Sequence, residues 1–223
     1  MFSNQLTLAE ELILITLDDS SGKLFASAKP FAIDIAIAAS LIMELTLNGR
    51  IDTDSEKLFI LSNAPTGNQI LDDTLAEINI EKTSLPTSVW ITRIGKKGES
   101  LNQLIIKSLV DKGVLMSVEK RLLWVFKTRV YPPTSRIEER EVRARVMQLI
   151  NSDEIPNPRD SLIVGLLQAT SLINHLLTHD ELQRLKVRID NIVNLEEINR
   201  SLGAAAQEAW QKIIDSTPVI RIC

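Results

Sequence analysis

Apolar residues recur at helical spacing along most of the chain, separated by short polar loops. Thr7-Leu8-Ala9-Glu10 has the hydroxyl-to-carboxylate spacing of a capping box and predicts a helix running to about Leu17. Residues 18–22 read as a turn. Pro30 starts a second helix with Ile33, Ile37, Leu41, Glu44 and Leu45 at helical spacing, and Asn48-Gly49 closes it with a pair that tolerates positive φ. Residues 50–53 and 57–61 are short β-like runs around a polar turn and predict a hairpin. Beyond the Ala64-Pro65-Thr66-Gly67 loop, Ile70, Leu71, Leu75 and Ile78 predict a third helix. Val89, Trp90 and Ile94 predict a shorter one after Pro86. Residues 95–98 form a basic loop carrying Lys96 and Lys97. Leu101, Leu104, Ile105, Ser108 and Leu109 then give a helix ended by Lys112-Gly113.

The helical period is lost over residues 114–131. Leu122, Leu123, Trp124, Val125 and Phe126 are five consecutive apolar residues of largely β-favouring type, with basic residues on both sides. They predict a β-hairpin whose first strand is residues 114–118, stopped by Pro132-Pro133. The C-terminal third is helical again. One helix is expected over about residues 135–151. Another starts near Pro158 and carries Leu162, Ile163, Leu166, Leu167, Ala169, Ile173 and Leu176. That helix is apolar on most faces, so it is expected to be central and buried. Two more helices are expected over about residues 180–192 and 195–215. The fold class is therefore mainly α. Without an internal repeat or a low-complexity linker, a single domain is expected over residues 1–223, with its core at about residues 6–215.

Composition narrows the chemistry. Of 223 residues, 44% are hydrophobic but only 4% aromatic, so the core must be built mostly from aliphatic side chains. The net charge is -4, which argues against a free-standing nucleic-acid binder. The charge is unevenly spread: residues 119–145 hold eight basic side chains and four acidic ones, a local excess of +4 on an acidic body. The only cysteine is Cys223, so no disulfide can form within the chain, as suits a reducing, cytoplasmic compartment. The N-terminus has no signal-peptide pattern, and the longest apolar stretch, residues 32–47, is too short and too polar to cross a bilayer. Membrane contact, if made, is peripheral.

Catalytic constellations are missing. His175 and His179 stand i, i+4, a spacing that can share a metal on one helix face. No glutamate follows His175 in the HExxH manner, and an ordinary helix-terminal turn explains the pair. No phosphate-cradling glycine loop is present, and Cys223 sits at the chain end without a histidine partner. Asp18-Asp19 and Asp72-Asp73 are adjacent carboxylates that point to different sides of their elements. The expectation is a non-enzyme with no catalytic residue, no metal site and no cofactor.

Residues 120–129 carry the strongest functional signal. Leu122, Leu123, Trp124 and Phe126 suit insertion at a membrane interface, and Lys120, Arg121, Lys127 and Arg129 suit an anionic surface around them. Lys96 and Lys97 are further head-group or anion contacts. In the alternative packing, Leu123 and Val125 face the core and Trp124 is partly buried. A helix, then residues 109–115, then a hairpin also looks like a winged helix, a fold that often reads DNA. Its recognition helix, at about residues 100–112, offsets Lys107 and Lys112 with Asp111 and Glu99, which is too acidic for a phosphate-lined groove.

Several local patterns, taken in order, resemble the Golgi phosphoprotein three family. They are Leu6-Thr7-Leu8-Ala9-Glu10-Glu11-Leu12, Glu44-Leu45-Thr46-Leu47-Asn48-Gly49-Arg50, Ala64-Pro65-Thr66-Gly67 with Leu71-Asp72, residues 109–115 with Glu119-Lys120, and the apolar stretch 157–177. Together they cover about residues 6–215. The resemblance implies a helical bundle surrounded by amphipathic helices, with a projecting β-hairpin. Eukaryotic relatives recognise phosphatidylinositol 4-phosphate, bind membranes through that hairpin, help retain glycosyltransferases in the Golgi and self-associate through the hairpin. The resemblance thus implies a peripherally membrane-associated adaptor or scaffold, with anionic lipid, a membrane-protein client and a second copy as partners. The family's head-group pocket maps poorly. Its arginines fall at Ala38, Glu99 and Asn102, and its tryptophan near Lys29. Relatives also carry a basic N-terminal extension where this sequence begins almost at its domain, and both departures suit a bacterial member.

Overall fold

The computed structural model describes residues 5–17, 31–53, 57–81, 83, 85–122, 126–134, 137–195 and 197–216, with backbone alone at 119–122, 126–130, 139 and 216. Helix α1 (Leu8–Thr16) begins at the expected capping box: the Thr7 side chain accepts from the Glu10 N–H, and the Glu10 carboxylate accepts from the Thr7 N–H at 2.7 Å. Every residue of α1 is buried, its two glutamates included. Helix α2 (Ala32–Leu47) is buried without a break from Ile35 to Leu45. Gly49 follows it at φ 61°, the left-handed position that the Asn48-Gly49 pair predicts. Strands β1 (Ile51–Thr53) and β2 (Leu58–Ile60) pair antiparallel as the first hairpin.

Helices α3 (Gln69–Ile80), α4 (Thr87–Gly95) and α5 (Gly98–Asp111) each bury one face. The predicted four-residue loop between α4 and α5 shrinks to the turn at Lys96 and Lys97, because Gly95 ends one helix and Gly98 starts the next. Strands β3 (Val118–Leu122) and β4 (Phe126–Val130) follow, then α6 (Ile137–Asn151), α7 (Pro158–Ala169), α8 (His179–Leu195) and α9 (Glu197–Ser216). Helix α6 buries Val142, Val146, Leu149 and Ile150, and α9 buries Leu202, Ala206, Ala209 and Trp210, each set along one stripe.

The expected architecture is present, with two corrections. The helix from Pro158 is buried from Ser161 to Leu167 but ends at Ala169. Ser171 takes φ 61°, and a short 3-10 helix (Leu172–His175) turns Leu172 and Ile173 back into the core. The Thr170 hydroxyl donates to the Leu166 carbonyl at 2.7 Å, so the chain leaves the helix with that end satisfied. The apolar period ran through the break because both pieces face the same core. The second correction concerns the centre, which α7 shares with α2. Helix α2 packs against α1, α3, α4, α5, α7 and α9.

Buried charge fastens this arrangement. Arg159, on α7, donates to both Glu44 oxygens on α2 at 3.1 Å, to Glu11 on α1 at 3.1 Å and to the Leu6 carbonyl. Glu44 also accepts from the Leu8 N–H at 2.6 Å, which satisfies one of the open donors at the start of α1. Arg145, on α6, joins Glu11 at 2.8 Å and Asp160 at 3.0 Å. Lys112 reaches Glu10 at 2.7 Å, where the Ser108 hydroxyl also donates. Burial works to lower the Arg159 pKa, and the Glu44 and Glu11 carboxylates more than offset it.

Removing Arg159 strands the buried Glu44 carboxylate and leaves Glu11 with Arg145 alone. Arg159→Met should therefore destabilise the protein by about 3–5 kcal/mol in urea denaturation. Adding Glu11→Gln and Glu44→Gln to that variant should recover part of the loss, because it removes the stranded charges. An Arg159→Met variant as stable as the parent would refute the fastening role.

Candidate functional site: the β3–β4 ribbon and the turn before α5

The ribbon has a different register from the one the apolar run suggests. Its first strand is Val118–Leu122 and not residues 114–118. Leu122 pairs with Phe126 at the distal end, and Val118 pairs with Val130 at the base. Residues 114–118 had looked like a strand because Val114 and Leu115 are apolar, but they are the buried root: Val114 is 6% and Leu115 2% exposed. A bridge from Leu115 to Pro133 and two backbone hydrogen bonds, from Met116 N–H to Pro132 and from Thr134 N–H to Val114, both 2.8 Å, tie the root down. Beyond it, β3 and β4 pack chiefly on each other, so the ribbon stands off the helical body.

The register sorts the predicted cations. Arg121 lies opposite Lys127 and Glu119 opposite Arg129. By period-two alternation, positions 119, 121, 127 and 129 fall on one face, and 118, 120, 122, 126, 128 and 130 on the other. Positions 121, 127 and 129 thus share one face of the ribbon, and position 120 shares the other with 122 and 126. Leu123, Trp124 and Val125, the connection between the strands, lie outside the described residues.

Lys96 and Lys97 sit apart from the ribbon, between α4 and α5. Lys97 is already engaged: it spans a groove of about 820 Å3 to Glu77 on α3, at 2.6 Å. Arg93 makes the parallel bridge to Glu81 at 2.9 Å while lying 4.8 Å from the centre of the Trp90 ring. Lys96 is exposed. Such half-exposed bridges contribute little to stability, yet each holds a cation in place.

The positions that the resemblance assigns to head-group arginines are the opposite of a phosphate pocket. Ala38 is 0% exposed. Glu99 and Asn102 flank Asp34, whose Oδ1 accepts from Asn102 Nδ2 at 3.1 Å. The Asp34 carboxyl lies over the bare Cα of Gly98, where an added Cβ would come within 2.0 Å of Asp34 Cγ. Burial raises the Asp34 pKa, the Asn102 hydrogen bond lowers it, and the Glu99 charge raises it again. A carboxyl of the chain itself thus occupies the start of α5, and a phosphomonoester there would meet two acidic groups. The Lys29 neighbourhood, to which the family's tryptophan maps, lies outside the described residues, as does the predicted turn with Asp18-Asp19.

The remaining candidates are structural. His175 ends the 3-10 helix and His179 begins α8, so the two share no helix face, and among the described residues no cluster suited to a metal occurs. Asp72 accepts from the Thr66 N–H and hydroxyl, both at 2.7 Å, and so holds the loop before α3. On the helix of the winged-helix alternative, Lys107 pairs with Asp111 and Lys112 with buried Glu10, which takes both lysines away from a nucleic-acid phosphate. No helix among the described residues is long and apolar enough to cross a membrane.

The sequence profile of the family described as Golgi phosphoprotein 3 (GPP34) matches residues 8–217, nearly the whole chain. The chain belongs to this family. Among curated proteins, it is similar to a Schizosaccharomyces pombe protein named vacuolar protein sorting-associated protein 74. The two are 26% identical over 168 aligned residues, covering 66% of this chain and 49% of the relative. The chain thus spans about half the length of the curated relative it matches. The Golgi phosphoprotein 3 match agrees with the ordered motifs from residue 6 to residue 215, and it takes in the ribbon and the Asp34 neighbourhood alike.

Replacing Asp34 gives a stability test with a definite sign. Its folded-state pKa is raised, so its contribution to stability is present at low pH and is lost as pH rises through the raised value. Asp34→Asn keeps an oxygen to accept from Asn102 and carries no charge. The variant should melt at a higher temperature than the parent at pH 7, and the difference should shrink as the pH falls through the carboxylate range. An Asp34→Asn variant less stable than the parent at pH 7 would contradict this account.

Proposed function

We propose that this Golgi phosphoprotein 3 family member is a non-enzymatic adaptor that docks on anionic membrane surfaces through the β3–β4 ribbon. The observation that carries the proposal is the register. Arg121, Lys127 and Arg129 share one face of a ribbon that stands off the body, while Leu122 and Phe126 pair at its distal end. Cations on a face meet the negative potential of the leaflet, and apolar residues at the far end, with Leu123 and Trp124 between the strands, enter the interface. Lys120 adds charge from the other face, and Lys96 adds a weaker contact from the α4–α5 turn.

Docking of this kind reads charge density more than head-group identity. Relatives of the family recognise phosphatidylinositol 4-phosphate through arginines, whereas Ala38, Glu99, Asn102 and Asp34 stand in their place here. The lipid partner is therefore any sufficiently anionic surface, without preference for a phosphomonoester. A membrane-protein client is the further partner an adaptor requires, and a second copy meeting through the ribbon would raise avidity for the membrane.

Three cations near an acidic leaflet contribute about 3 kcal/mol together, which is roughly a hundred-fold in partitioning. Flotation with phosphatidylserine-rich vesicles should therefore fall by about that factor for the triple variant Arg121→Gln, Lys127→Gln, Arg129→Gln, and fall with added salt for the parent. Trp124→Ala or Leu123→Asp should weaken binding without changing its salt dependence. Vesicles matched in charge but carrying phosphatidylinositol 4-phosphate should bind no better. Unchanged flotation of the triple variant would sink the docking mechanism, and a strong phosphatidylinositol 4-phosphate preference would sink the charge-density reading alone.

A further inference from the structure

Helices α7, α8 and α9 line a second cavity, open to solvent on one side and of about 370 Å3, that belongs to none of the surfaces above. Its size is at the lower end of the range for small-molecule sites, and sites between the helices of a bundle are common. Gly165 on α7 and Gly203 on α9 both line it. A Cβ built on Gly203 meets nothing within 4 Å although the residue is buried, so that glycine faces open cavity space. Glycine inside a helix costs about 0.5–1 kcal/mol relative to alanine. At Gly203 no neighbouring atom in the structure requires that sacrifice.

Asn199 supplies the second observation. It is 1% exposed, and its Nδ2 donates to the Ser161 carbonyl at 2.7 Å. Its Oδ1 has no hydrogen-bond partner among the described residues. That oxygen lies against the bare Cα of Gly165, where an added Cβ would come within 2.1 Å of it, and both residues line the cavity. That oxygen has almost no accessible surface, so the contact fixes α9 against α7 and shapes the cavity wall and does not reach into the cavity.

The two charged groups of the lining define what else that molecule carries. Asp190 on α8 is oriented by Gln168, whose Nε2 donates to Oδ1 at 2.7 Å. Arg200 on α9 is oriented by the Asn194 carbonyl, to which Nη1 donates at 2.8 Å. Each bond uses one atom of its charged group, and neither residue forms a salt bridge among the described residues. Asp190 is half-buried and Arg200 is exposed at the mouth, and one carboxylate and one guanidinium lining the same small cavity without pairing are complementary to a small molecule bearing both charges. We infer that this cavity binds a zwitterion of α-amino-acid size, with its ammonium group donating to Asp190 and its carboxylate accepting from Arg200.

The test is calorimetric titration of the full chain with the standard α-amino acids as probes. For any that bind, the amine-only and carboxylate-only counterparts follow. At least one amino acid should bind with one-to-one stoichiometry, and both single-charge counterparts should bind about ten-fold more weakly or worse. Asp190→Asn and Arg200→Gln should each weaken binding by a similar factor. Gly203→Leu should abolish it by filling the cavity, and Gly203→Ala should remain folded and melt no lower than the parent. If no standard amino acid binds, if a single-charge counterpart binds equally well, or if binding survives Gly203→Leu, the proposal is overturned. Vesicle flotation of the same variants should be unaffected, so failure here leaves the docking proposal to its own test.

Discussion

The fold depends on satisfying charge at the start of α1. That helix is buried on all sides, and its first turn carries Glu10 and Glu11 into the interior. Two carboxylates in so apolar a setting are tolerable only with partners at close range. The partners come from three elements: Arg159 from α7, Arg145 from α6, and Ser108 with Lys112 from the end of α5. Glu44 from α2 closes the network by binding both Arg159 and the Leu8 N–H. Apolar burial supplies most of the driving force but is indifferent to which helix lies beside which. The charge network is selective, since any other assembly of these helices would leave at least one buried ion unpaired.

That core determines what the surface can present. With α2 and α7 central, the root of the ribbon is held by Val114, Leu115 and the Pro132-Pro133 corner, and the strands beyond it are free to stand away from the body. The same packing brings α2 to the junction of α4 and α5. There Asp34 covers Gly98, and with Glu99 it makes the start of α5 acidic. The ribbon, whose charge is local, is not touched by that packing.

Much of this was legible along the chain. The capping box at Thr7 and Glu10, the glycine at position 49, the helix stripes and the presence of a second hairpin all depend on neighbours a few residues apart, and local physics is what a linear pattern records. The errors were also instructive. The register of the ribbon is not legible along the chain because the apolar run at 122–126 reads as a strand interior although it includes the end of β3 and the start of β4, and period-two patterning cannot tell a strand from its connection once every position is apolar. The break at Thr170 was hidden because the residues on either side face one core. The charge network was invisible: Glu11, Glu44, Arg145 and Arg159 are far apart in sequence, and the only hint was a pair of glutamates inside an otherwise apolar helix.

The sequence by itself determined the helical class, most element boundaries, the basic stretch that became the ribbon and the ordered motifs of the Golgi phosphoprotein 3 family. These follow from short-range preferences and from composition. Tertiary structure alone decided which charges neutralise one another, which ribbon positions share a face, that Asp34 fills the start of α5, and that Asn199 packs on Gly165 beside a cavity. Each of those depends on residues brought together by packing, and the distance between two side chains in space is not a function of their separation along the chain.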